Sequence, residues 1–264
     1  GAWNYPLQLI LAPLVAVIAA GNCAIVKPSE LAPATSALLA KLIPQYLDAN
    51  AVSVVEGAVE ETTALLALPF DHIMYTGNGQ VARIVMAAAA KNLTPVTLEL
   101  GGKSPVYVDE SADITITAQR IAWGKWMNAG QTCIAPDYII TSQSMVAPLV
   151  AALKAQIKQM FGDDPKQSES YGRIINERHA ERISGYFSGI EVEHGGEFDI
   201  ENRYIAPTIV LNPALDSAVM TDEIFGAVLP IITIEDFDNA KAFVKGRDKP
   251  LSAYIFSKNK AQCQ

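Results

Sequence analysis

In 264 residues there are only three cysteines, three histidines and three tryptophans, and neither charge is gathered into a run. Each scarcity removes a class of function. Cys23, Cys133 and Cys263 cannot make a disulfide framework, and an odd count at this length fits a reducing, cytoplasmic setting. His72, His179 and His194 stand far apart without metal-ligand spacing, so no metal is expected. Lys and Arg number 20 against 28 Asp and Glu, a net charge of −8, which makes the chain a poor holder of nucleic acid or of an anionic membrane. Only 18% of residues are charged while 50% are hydrophobic, which excludes disorder and leaves ample side chain for a core. The length suits one large domain or two ordinary ones.

Long apolar runs are scarce too. Leu9 to Ala20 is the most continuous, but it is too short to span a bilayer, contains Pro13 and is stopped by Gly21-Asn22. No Lys or Arg precedes it, the first being Lys27, so it lacks the charged start of a signal peptide. The spacing predicts a buried helix of a soluble core, with no membrane segment evident.

What is present is an alternation of short β-rich stretches with helical ones. Helix over 7–20 leads to a strand over 23–26, in which Cys23 is expected as an inert core thiol, then helix over 35–46 and strand over 52–55. Helix over 60–68, strand over 72–76 and an Ala-rich helix over 81–91 follow, the order of a doubly wound parallel sheet. Beyond Val96-Thr97-Leu98 the rhythm changes: strand over 105–108, helix over 113–127, strand over 138–141, long helix over 146–161, and a polar loop over 163–170. The paired Gly101-Gly102 predicts a boundary, giving domains over 1–100 and 101–264.

Four places carry chemistry. Gly77-Asn78-Gly79-Gln80-Val81-Ala82 matches G-x-G-x-x-A between a strand and a helix, where backbone N–H groups can meet a pyrophosphate, although glycine also serves tight turns for backbone reasons alone. Glu99, twenty residues past Gly79, is either a ribose-binding acid or, lying between Leu98 and Leu100, a desolvated general base; a solvent-facing strand end is the bland alternative. Cys133 sits in a Gly-flanked loop open to close approach by a substrate, against the usual reading of a lone cysteine as inert core. Lys27-Pro28-Ser29-Glu30 follows the first strand, where parallel sheets bind ligands, or is simply a charged surface turn.

Six segments in order resemble the aldehyde dehydrogenase superfamily: Trp3-Asn4-Tyr5-Pro6, Lys27-Pro28-Ser29-Glu30, Tyr75-Thr76-Gly77, Leu98-Glu99-Leu100-Gly101-Gly102-Lys103, Gly130-Gln131-Thr132-Cys133 and Glu223-Ile224-Phe225-Gly226. The strings Met127 to Tyr138 and Leu93 to Leu100 resemble the class 3 branch, whose substrates are medium- and long-chain aliphatic and aromatic aldehydes. The resemblance implies an α/β fold with a Rossmann-type cofactor domain and an α/β catalytic domain, both incomplete. It implies NAD(P)-dependent oxidation of an aldehyde to a carboxylic acid. Cys133 would attack the carbonyl, the Asn4 amide and the Cys133 backbone N–H would hold the oxyanion, and Glu99 would activate the hydrolytic water rather than bind ribose. Lys27 and Glu30 would bind the adenosine ribose of NAD or NADP, Gly77 and Asn78 would face its phosphates, Glu223 would bind the nicotinamide ribose and Phe225 would pack nearby.

The sequence departs from the family pattern in three ways. Asn78 and Ala82 replace a Ser and a Gly of the phosphate-side loop, predicting weakened phosphate contact. Ala227 stands where Pro commonly follows Phe-Gly, predicting a looser turn around Glu223. The chain begins without Met and ends on Ala-Gln-Cys-Gln, so the resemblance implies segments missing at both ends of a homodimeric parent. A CoA-acylating relative, which Glu99 disfavours, and a catalytically inert piece of the same fold stand as alternatives.

Overall fold

The computed structural model describes residues 1–263, which divide between Leu100 and Gly101 into two compact units. In the first unit, α1 (Gln8–Ala19) leads to β1 (Ala24–Val26), α2 (Pro33–Tyr46) and β2 (Val52–Val54). Pro33 opens α2, where its missing N–H costs nothing. Then come α3 (Val59–Leu66), β3 (Ile73–Gly77), α4 (Gly79–Ala90) and β4 (Val96–Leu100). Asn78 caps α4 by accepting the Val81 N–H at 2.9 Å, and the Ala-rich stretch carries the helix on.

The strands of this unit pair as β1 with β2 and β3 with β4, both parallel, in two separate two-stranded sheets rather than the single expected sheet. Two other expectations are corrected. Cys23 lies ahead of β1 and is exposed, because the strand begins one residue later at Ala24. The apolar α1 is only partly buried: Ile10 and Leu14 pack with Val26, Leu39, Ile43 and Val52, while Val15 is 67% exposed. Its residues are apolar all round, and the sheet beneath can cover one face only.

The second unit is built on a six-stranded sheet. Its elements are β5 (Pro105–Val108), α5 (Ile114–Trp126), β6 (Tyr138–Thr141), α6 (Gln143–Phe161), α7 (Glu177–Ser184), β7 (Val192–His194), β8 (Phe198–Asp199), β9 (Tyr204–Ile205), β10 (Thr208–Leu211), α8 (Ala218–Thr221), β11 (Val228–Thr233), α9 (Phe237–Lys245), β12 (Tyr254–Phe256) and α10 (Lys260–Cys263). The strand order is β12-β5-β6-β11-β10-β7, parallel except for β7, with β8 and β9 forming a separate hairpin. Tyr138-Ile139-Ile140-Thr141 is buried at every position, as a central parallel strand covered on both faces requires. The long helix α6 starts three residues before the expected Val146, and the polar loop after it contains a short 3-10 turn, Pro165–Gln167. Among the described residues no helix is long and apolar enough to cross a membrane.

Candidate active site

The first unit puts its candidate residues where open parallel sheets bind ligands, at strand C-termini. Lys27 and Glu30 follow β1, and their side chains pair at 3.0 Å. Burial works against the charged Glu30, but its own backbone N–H and the Lys27 ammonium outweigh it and hold the carboxyl below its ordinary range. An adjacent ammonium and carboxylate offer the donor and acceptor that a vicinal diol needs. Gly77 ends β3, and a Cβ there would lie 2.2 Å from the Tyr75 hydroxyl oxygen. That hydroxyl accepts the Asn78 backbone N–H, so the first donor of the α4 N-terminus is already engaged. Ala82, in place of the family glycine, is buried at 2% exposure, where a small residue lets α4 lie close. Glu99 sits at the end of β4, half-buried, opposite Thr76 in the register. Asn4 precedes α1 and lines a shallow groove of about 510 Å³ with Tyr5, Leu7, Leu11 and Val15.

The second unit reverses this geometry. Cys133 precedes β6, Glu223 and Phe225 precede β11, and Gly101 to Lys103 precede β5. These three strands are neighbours in the sheet, so the three segments converge at its N-terminal edge. The chain leaves α5 through Asn128 and Ala129, both left-handed at φ 52°, and Gly130 at φ 79°. Buried Gln131 then clamps the loop: its amide donates to the carbonyls of Asn128 and Arg173, each at 3.0 Å, and accepts the Ile175 N–H at 2.9 Å. Cys133 follows, half-buried, inside a turn closed by Ala135 N–H to the Thr132 carbonyl at 3.0 Å. A left-handed reversal and a saturated buried amide fix the thiol's backbone before any ligand arrives.

The Glu223 segment is held from three sides. Asp137 accepts the Ile224 N–H at 3.2 Å, Arg182 donates to the Ile224 carbonyl at 2.7 Å, and the Trp126 indole donates to the Ala227 carbonyl at 3.0 Å. The expected loosening at Ala227 is therefore corrected: the residue is fully buried and its carbonyl also takes the Thr208 N–H. Phe225 is left-handed at φ 45°, a strained conformation maintained by these bonds. The Glu223 carboxyl lies against Gly101, where a Cβ would stand 2.0 Å from Oε1, and accepts the Gly102 N–H; burial pushes its pKa up.

Behind the segment, Lys103 reaches Asp137 at 2.7 Å and the carbonyls of Val219 and Asp222 at 2.6 and 3.0 Å. Sequence reasoning passed over Asp137, Lys125, Trp126 and Arg182 in this neighbourhood. Lys125 alone left a signal: it falls four residues after Ile121 on the face that buries Ala118, Ile121 and Ala122.

Comparison with known proteins gives this arrangement a family. The aldehyde dehydrogenase family matches residues 1–264. The dimeric NADP-preferring aldehyde dehydrogenase of Rattus norvegicus is 54% identical over 98% of this chain, which covers 57% of that protein. Aldehyde dehydrogenase family 3 member A2 of Mus musculus is 52% identical over 98% of this chain and 54% of its own length. The chain thus spans a little over half the length of these relatives. Among solved structures, the substrate-bound AldH of Staphylococcus aureus superposes with a TM-score of 0.96 at 46% identity, covering 99% of this chain and 58% of that one. The NAD+ complex of an aldehyde dehydrogenase from Mycobacterium tuberculosis superposes with a TM-score of 0.90 at 29% identity, covering 99% and 56%. With its family 3 relatives and its full-length family match, the chain belongs to the aldehyde dehydrogenase family, on the class 3-like branch.

Proposed function

We propose that the protein carrying this chain oxidises an aldehyde to a carboxylic acid with NAD or NADP. The observation that carries this reading is the convergence of the Cys133 and Glu223 segments at the N-terminal ends of the neighbouring strands β6 and β11, in a chain matched throughout by the aldehyde dehydrogenase family. Cys133 adds to the carbonyl carbon, and the Asn4 amide with the Cys133 backbone N–H stabilises the oxygen as it becomes an anion. When bound, the nicotinamide supplies the hydride acceptor. Lys27 and Glu30 hold its adenosine ribose, Gly77 and Asn78 face the phosphates, and Glu223 holds the nicotinamide ribose with Phe225 beside it. Glu99 takes a proton from the water that cleaves the Cys133 thioester, releasing the acid and the thiol.

The first unit is the cofactor domain in this reading and the second the catalytic one. A charged Glu30 disfavours a 2′-phosphate electrostatically, which tilts the pair toward NAD. Homodimer assembly and a cytoplasmic site of action complete the proposal, the first suggested by the dimeric rat relative and the second by the cysteine count. The test is formation of reduced nicotinamide by the polypeptide its gene encodes, across long aliphatic and aromatic aldehydes, with and without CoA. No reduced cofactor with any aldehyde would sink the proposal, and a product made only with CoA would replace hydrolysis by acyl transfer.

A further inference from the structure

Among the described residues, one buried side-chain atom lacks a hydrogen-bond partner: Nζ of Lys125, in the last turn of α5. The residue has no solvent exposure. An ammonium so placed is costly unless opposite charge stands near, and native interiors rarely tolerate one without a reason. The charged groups facing it are Asp137 ahead of β6, Lys103 ahead of β5 and Glu223 ahead of β11. Arg182 from α7 adds its charge at Glu223. The carboxylate of Asp222 lies in the same region, near Tyr186.

Most of these groups are already spent. Asp137 gives Oδ2 to Lys103 and Oδ1 to the Ile224 N–H, while Lys103 divides its donors between Asp137 and two carbonyls. Arg182 is bound to the Ile224 carbonyl and the Tyr186 hydroxyl. Lys125 is the one cation of the group with no bond holding it elsewhere. Glu223, half-buried and touched by a single backbone N–H, is the carboxylate whose charge most needs support. Burial favours the neutral form of each, and each supplies the charge that offsets it in the other.

We propose that Lys125 is a positioning residue for Glu223, a buried cation that keeps this carboxylate ionised and so able to accept hydroxyl hydrogen bonds from a ribose. The inference rests on the reading of Glu223 as the acid for the nicotinamide ribose. A protonated Glu223 would have a donor on one oxygen and would lose half of that acceptor set.

The test uses Lys125→Met, Lys125→Gln and Lys125→Arg in the polypeptide its gene encodes. NAD is titrated from pH 5 to 9 by tryptophan fluorescence, and Glu223 ionisation is read separately as the infrared carboxyl band that Glu223→Gln removes. In the Met and Gln variants the acid midpoint of NAD binding rises by about one pH unit, a tenfold loss of affinity below it. The infrared titration rises with it, and Arg restores both. Removing an unpartnered buried charge leaves thermal stability equal or higher, so misfolding does not mimic the result. A uniform loss of affinity with an unmoved midpoint, or a wild-type midpoint in the Gln variant, would overturn the proposal. If the wild type binds no NAD yet the infrared titration still moves, the cofactor reading falls and the pairing stands; if neither moves, both fall.

Discussion

Gly130 and Gly226 meet backbone to backbone: a Cβ on Gly130 would stand 2.1 Å from the Gly226 carbonyl oxygen. The loop that carries Cys133 and the loop that carries Glu223 therefore touch through atoms that no side chain can separate. Gly130 is also left-handed at φ 79°, so alanine there meets both a clash and an unfavourable backbone. Gly130→Ala is expected to lower kcat/KM by about 100-fold through misplacement of the thiol, and to lower stability by about 3 kcal/mol. Initial rates and urea unfolding measure the two, and wild-type values in both would remove the joint from the account.

Asp137→Asn tests the clamp behind Glu223. The side chains of Lys103 and Asp137 are 10% and 4% exposed, so the substitution strands a nearly buried ammonium. Breaking one partner of such a pair costs about 3 kcal/mol or more, equivalent to a fall of about 6 °C or more in Tm for a chain this size. Calorimetry reads it, and a Tm within a degree of wild type would show that the pair contributes nothing.

Lys125 gives stability a pH signature. Burial pulls its pKa from 10.5 to about 8, so below pH 8 the folded chain carries the whole cost of a buried charge. Between pH 8 and 10.5 the folded state sheds the proton while the unfolded state keeps it, and stability from this group rises with pH. The span amounts to about 3 kcal/mol, and it is absent in Lys125→Met. Urea midpoints from pH 7 to 10 follow it; parallel curves for variant and wild type would exclude the effect.

Tyr75 covers the phosphate-facing turn, its hydroxyl accepting the Asn78 N–H directly above Gly77. Tyr75→Phe releases that donor to a pyrophosphate. A gain of about fivefold in NAD affinity is expected, the worth of one recovered hydrogen bond. Calorimetric titration decides, and an unchanged or weaker Kd would mean that the hydroxyl does not compete.

The two steps assigned to Cys133 and Glu99 separate kinetically. Cys133→Ala is expected to abolish turnover. Glu99→Gln is expected to give one burst of reduced nicotinamide per site and then stall, because acylation needs no general base for water. Undiminished steady turnover in the second variant would remove Glu99 from the hydrolytic role.

Much of this was legible before the fold. Asn78 reads as a cap in front of an Ala-rich stretch and acts as one, and Tyr138 to Thr141 reads as a strand and is one. The region between Phe161 and Ser252 was opaque, since its strands β7 to β10 are two to four residues long and carry too few positions for a period to show. The apolar run of α1 misled, because a sequence shows that a helix is apolar but not how many of its faces find a partner.

The sequence by itself determined the kinds of chemistry available: one cysteine in a Gly-flanked loop, one carboxylate among leucines, a Lys–Glu turn behind a strand, and the order in which they occur. Short-range forces act on neighbours along the chain, so caps, turns and motif spacing are written there. Tertiary structure alone decided that segments preceding β5, β6 and β11 share one sheet edge, because strand order depends on pairings between residues up to a hundred positions apart. It also decided which charges lose their water. Lys125 is an ordinary lysine in the sequence; the packing of α5 on its sheet makes it a buried cation facing the Glu223 carboxylate.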